Sequence, residues 1–221
     1  MRTHTKEMQA QLTPEKALHL LKEGNNRFIN NLKLNRNLLQ QVNETAEGQY
    51  PFAFILSCID SRTCAELIFD QGLGDIFSCR IAGNILNEDI LGSMEFACKI
   101  AGSKIIVVLG HTKCGAVKGA CEDITMGNLT IVLAKIKMGI GGLKAKSNPP
   151  DPSFVEKVAE LNMRNTLKSI PEQSPILMEL VQEGKLVLIG AMYEVETGAV
   201  RFYEDEMITR NTFQKREAEV V

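Results

Sequence analysis

The run Lys104-Ile105-Ile106-Val107-Val108-Leu109 places five aliphatic residues in a row with no polar alternation. A strand of that kind has no face for water, so other elements must cover it on both sides. The run Phe52 to Leu56 has the same character. Strand-like and helix-like segments alternate along most of the chain. That order predicts an α/β fold: a mainly parallel central β-sheet flanked by helices, with an N-terminal helical arm.

The arm is expected over residues 1–50, packing on a partner subunit, and the α/β domain over 51–221. Thr13 and Pro14 are a cap and a first helical residue for a helix reaching about Asn30. The polar stretch Asn31 to Gln49 reads as a connecting arm with room for one short helix; wrapping a partner and lying in solvent are both open to it. Further on, helices are predicted at Thr63 to Gln71, from Asn87 to about Ile100, and from Gly110 into Cys121. Others follow at Leu129 to Lys137, Phe154 to Ser169 and Ser174 to Glu183. Strands are predicted at Asp75 to Ile81, Lys185 to Glu194 and Ala199 to Tyr203. Gly139 to Pro152, rich in Gly, Lys and Pro, reads as an exposed, mobile loop.

Each of the two apolar runs leads into a string of reactive residues. Cys58-Ile59-Asp60-Ser61-Arg62 follows the first, and His111-Thr112-Lys113-Cys114 follows the second. In an open parallel sheet ligands collect just beyond the carboxyl ends of the strands. If the two strands are neighbours, both strings converge on one rim. Two thiolates and an imidazole suit zinc, and three protein ligands leave a fourth position for water. Asp60 can fill that position or accept a hydrogen bond there. Arg62 arbitrates, because a guanidinium can hold a carboxylate in a bidentate pair.

Composition excludes several other classes. The formal charge of −2 gives no electrostatic reason for nucleic acid or an anionic membrane as partner. No apolar run approaches the length of a membrane span, and no secretory signal is evident before Lys16. Six cysteines in 221 residues do not suggest a disulfide scaffold, so a cytoplasmic location is expected. Cys64, Cys79, Cys98 and Cys121 read as ordinary small residues. Gly72-Leu73-Gly74 and the glycines before Lys144 lack the spacing of nucleotide-binding loops.

The strings resemble the zinc motifs of β-class carbonic anhydrases, and the similarity extends along nearly the whole chain. It includes Ala17 to Phe28, Gly48 to Phe52, Ala65 to Gly72, Ala82-Gly83-Asn84, Gly110 to Ala116, and Gly190 to Glu194 with Thr197-Gly198. The resemblance implies that Cys58, His111 and Cys114 are zinc ligands. It makes Asp60 and Arg62 a catalytic dyad, with Asp60 a ligand only when the site is closed. It also implies that Gln49 orients substrate from the neighbouring subunit, that Phe77 walls the pocket, and that the Gly115 amide donates toward substrate. The implied reaction is reversible hydration of CO2 to bicarbonate and a proton by zinc-bound hydroxide, in a homodimer or homotetramer. Two rivals are hydrolysis of an analogue such as carbon disulfide and a non-catalytic metal-binding role.

Three departures from the family pattern bear on the site. Phe96 stands where many members carry a substrate-pocket tyrosine. Ile55 stands where the bicarbonate-inhibited branch has tryptophan, so that trap is incomplete and an open site is expected at neutral pH. Thr63-Cys64 replaces a common Val-Pro. Arg80 is assigned equally to a subunit interface or to anion binding.

Overall fold

The computed structural model describes residues 3–141, 143, 147 and 149–212. Parts of the predicted mobile loop, residues 142, 144–146 and 148, lie outside the described residues. Chain order is α1 (Lys6–Gln11), α2 (Pro14–Ile29), α3 (Leu38–Thr45), β1 (Ala53–Ser57), α4 (Ala65–Ile68), β2 (Ile76–Arg80) and α5 (Glu88–Glu95). Then come β3 (Ile105–His111), α6 (Gly115–Cys121), α7 (Leu129–Gly139), α8 (Pro152–Gln173), α9 (Pro175–Gln182), β4 (Val187–Tyr193) and β5 (Val200–Phe202).

The sheet runs β2-β1-β3-β4-β5, parallel except for β5, which is antiparallel to β4. Its two faces meet two separate cores. Ile105, Val107 and Leu109 pack with Ala53, Ile55 and α2, while Ile106 and Val108 pack with Phe54, Leu56 and the α5–α9 side. The unbroken apolar runs are thus explained: alternate residues of one strand serve opposite layers. Strand order reverses between β1 and β3, so their carboxyl ends form the topological switch point where such sheets build sites.

Several elements differ in extent from the sequence expectation. α1 lies in a stretch whose polar composition gave no helical signal; Thr5 caps it, accepting from the Met8 amide. The helix expected at Thr63 to Gln71 closes after one turn. α5 continues into a π-helical turn, Phe96–Ile100, closed by the Ala101 amide on the Phe96 carbonyl at 2.9 Å. The N-terminal segment divides in two. α2 buries Ala17, Leu18 and Leu21 on its own sheet, whereas α3 leaves Leu38, Leu39 and Val42 exposed.

α4 ends early because Asp70 is captured. Its backbone sits at φ +45°, and its buried carboxylate accepts from Arg27 Nε at 2.6 Å, from Arg36 and from the Leu34 amide. Burial alone pushes this carboxyl up; Arg27, Arg36 and the Leu34 amide more than reverse it, so it titrates below the usual range. Asn tolerates the same backbone, so Asp70→Asn removes chiefly the charge that two guanidiniums pair with. The expected loss is about 3–5 kcal/mol, or roughly 6–20 °C in Tm. A depressed folded pKa stabilises fully above the unfolded value and is lost as pH falls through the folded one. The gap in Tm between parent and variant therefore narrows below about pH 4; a gap constant from pH 7 to pH 3 refutes this account.

Candidate active site

Cys58 directly follows β1, and His111 is the last residue of β3 rather than the first beyond it. A left-handed residue, Lys113 at φ +54°, then turns the chain so that Cys114 caps α6 from the same rim. One donor atom from each of Cys58, His111 and Cys114 lies within 4.8 Å of the others, and all three residues are buried. Two sulfurs bound tetrahedrally to one zinc, each at about 2.3 Å, stand about 3.8 Å apart. The Cys58 and Cys114 sulfurs stand 3.9 Å apart.

His111 is already oriented. Nδ1 lies 2.8 Å from the Thr112 carbonyl, which can only accept, so Nδ1 donates there and Nε2 is left for another partner. Nε2 is buried and has no hydrogen-bond partner. An orphaned imidazole nitrogen facing two thiols is what a metal would satisfy, so the donor set fits zinc. The hydrogen bond between the two sulfurs holds Cys58 below and Cys114 above the ordinary thiol range.

Asp60 stands beside this cluster and is not one of its members. Oδ1 accepts from the Arg62 amide at 3.0 Å and from Nε at 2.9 Å, while Oδ2 accepts from Nη2 at 2.7 Å. The Arg62 guanidinium holds the carboxyl well below the usual carboxylate range. Tyr193, in register with His111, is pushed up by burial and lies within reach of the Arg62 and Asp60 charges.

Supports around the rim act through contacts that the sequence does not display. Arg80 donates from Nε to the Cys58 carbonyl at 3.0 Å and from Nη2 to the Asp60 carbonyl, clamping the loop that carries both. The Thr63 hydroxyl bonds the same two carbonyls at 2.9 Å each. The Gly83 amide donates to Cys58 Sγ at 3.3 Å. Thr112 is held in turn by Glu194 at 2.8 Å and by the Val195 amide at 3.1 Å. Arg80, expected at a subunit interface or on an anion, has backbone oxygens as its partners here, which no residue pattern displays.

The other expected site residues are spread over β2, the π-helical turn, α6 and the segment before β1. Phe77 on β2 and Phe96 form an edge-to-face pair with centroids 6.3 Å apart. Gly115 opens α6 with open space where a Cβ would stand. Gln49 is exposed beside Gly74. The other four cysteines are free, and burial pushes the Cys98 thiol up to about 12. Among the described residues, the one cluster able to hold a metal is Cys58, His111 and Cys114.

The carbonic anhydrase family model matches residues 53–200, a span that contains the three ligands and both members of the Asp60–Arg62 pair. Carbonic anhydrase 2 of Mycobacterium tuberculosis (strain CDC 1551 / Oshkosh) is 34% identical over 189 residues, covering 84% of this chain and 90% of its own. A carbonic anhydrase of Mycolicibacterium smegmatis is 31% identical over 198 residues, covering 85% and 92%. In three dimensions the crystal structure of the β-carbonic anhydrase CafA of Aspergillus fumigatus superposes with a TM-score of 0.64 at 26% identity, covering 86% of this chain and 90% of that one. A sheet whose switch point gathers two thiols and an imidazole with zinc-ready spacing agrees with all of these likenesses, and the chain belongs to the β-carbonic anhydrases.

Proposed function

We propose that this chain hydrates CO2 reversibly to bicarbonate and a proton, with Cys58, His111 and Cys114 holding zinc and the Asp60–Arg62 pair keeping the site open. One observation carries the reading. The orphaned Nε2 of His111 faces two thiols at zinc-ready spacing, while Arg62 holds both oxygens of Asp60 outside the cluster. Zinc held there supplies a Lewis acid that makes water a competent nucleophile near neutral pH.

The chain's own residues supply position and polarity. A carboxylate has about four acceptor sites. Arg62 takes two on Oδ1 and one on Oδ2, which leaves Oδ2 one acceptor for the attacking water. Asp60 orients that water's remaining lone pair toward the substrate carbon. Phe77 and Phe96 offer an apolar wall suited to an uncharged, linear molecule, and the Gly115 amide a donor to its oxygen. With phenylalanine at 96, substrate meets no hydroxyl there.

We also assign Gln49 to the pocket of a neighbouring subunit, in a homodimer or homotetramer. The exposed Leu38, Leu39 and Val42 of α3, together with Phe96 and Ile100, support this assembly. The Sordaria macrospora β-carbonic anhydrases, alike in fold with a TM-score of 0.63 at 22% identity, are described as tetrameric. A cytoplasmic location is supported by six free cysteines. No helix among the described residues is long and apolar enough to cross a membrane.

The test is metal analysis joined to stopped-flow CO2 hydration. About one zinc per chain and hydration already present at pH 7 are expected; activity confined to pH above 8 refutes the open site. Light scattering on the same preparation is expected to return a dimer or tetramer, and a fully active monomer overturns the assembly.

A further inference from the structure

We infer that Asn162, on α8 and outside the rim, is a positioning residue for the ligand Cys58, acting through the turn at Gly83. The inference rests on the zinc reading above. Asn162 is 3% exposed, and its neighbours Val158, Ala159 and Met163 are all core residues. A leucine would serve that core better, because a buried amide costs free energy unless it is bonded. Its Nδ2 donates to the Gly83 carbonyl at 2.7 Å, a contact spanning 79 residues of sequence. Gly83 in turn donates its own amide to Cys58 Sγ at 3.3 Å.

The turn needs an external hold. Gly83 at φ +69° and Asn84 at φ +41° are successive left-handed residues, a conformation that few residues adopt singly and fewer in pairs. Locally it is closed by the Asn84 amide on the Ile81 carbonyl at 3.0 Å. A side chain at 83 would be strained at this φ, and its Cβ would displace Ile136 Cδ1, 2.6 Å away. Asn162 therefore pins the turn from the helix layer. Without it the left-handed pair can relax and carry the Gly83 amide off the sulfur. An N–H aimed at a thiolate fixes where its lone pair points and draws off part of its charge.

The experiment compares zinc affinity by chelator competition with the sulfur-to-metal charge-transfer band of the cobalt-substituted protein. Both are measured on the parent, Asn162→Leu and Asn162→Ser, the last leaving room for a water should leucine not fold. Leu167→Ala, a core truncation on the same helix, controls for lost stability alone. The expected result is a 10- to 100-fold weaker zinc affinity and a shifted band in the Asn162 variants. The Leu167 control keeps parental affinity and band at a comparable loss of Tm. Affinity within twofold of parent in a folded Asn162 variant overturns the inference, as does an equal loss of affinity in the control. A parent without zinc or the band overturns the zinc reading, and this inference with it.

Discussion

Replacing His111 with asparagine is expected to remove most of the zinc and to cut CO2 hydration by more than about 100-fold, beyond what loss of a single supporting residue costs a metal site. The direction follows from the ring's surroundings. Nδ1 is committed to the Thr112 carbonyl and Nε2 is buried without a partner, so the ring has one use left for its second nitrogen. Asparagine is too short to bring a donor to the same place, and it leaves two buried thiols facing each other at 3.9 Å. Those thiols, deprived of metal, then share a proton. Cys114→Ser is expected to behave alike, since a hydroxyl is a poor substitute for a thiolate on zinc. Zinc stoichiometry and stopped-flow hydration check both variants. A folded His111→Asn protein retaining stoichiometric zinc and a tenth or more of parental activity refutes the assignment.

The parts legible in the sequence are those whose cause is local. The run from Ile105 to Leu109 shows burial on both faces because each of its residues is apolar, and the sheet indeed sends alternate residues into separate cores. Cys58, His111 and Cys114 are legible because their strings stand at the ends of two such runs, and β1 and β3 are neighbours. The parts that stay hidden depend on distant partners. Helical spacing continues through Phe69, yet α4 stops at Ile68 because Arg27 and Arg36 seize Asp70. What Arg80 and Thr63 do is visible only in their hydrogen bonds to the Cys58 and Asp60 carbonyls. Asn162 reads as one polar interruption on an apolar helix face; only the contact with Gly83 gives it a purpose. Gln49 is a different case, since its assigned partner belongs to another copy of the chain.

Removing Arg62 is expected to inactivate the enzyme while making it hold zinc more tightly. In the parent, three hydrogen bonds fix both oxygens of Asp60 away from the metal cluster. Arg62→Ala deletes the two guanidinium bonds and leaves the backbone amide of residue 62 on Oδ1. Asp60 remains ionised at neutral pH even after its carboxyl returns to the ordinary range. A freed carboxylate beside a cation with an open position is a fourth ligand in waiting. Hydration at pH 7 should therefore fall about 10- to 100-fold, and zinc should leave to a chelator more slowly than from the parent. Activity should return as pH rises, because hydroxide then competes with the carboxylate for that position. Arg62→Lys keeps the charge but not the planar fork, so it should fall between the two. The double variant Arg62→Ala with Asp60→Asn separates the causes: it has no anion to close the site, so it should release zinc as readily as the parent. If Arg62→Ala loses activity but also loses zinc faster, Arg62 stabilises the loop rather than holding Asp60 off the metal, and the gate assigned to this pair does not exist.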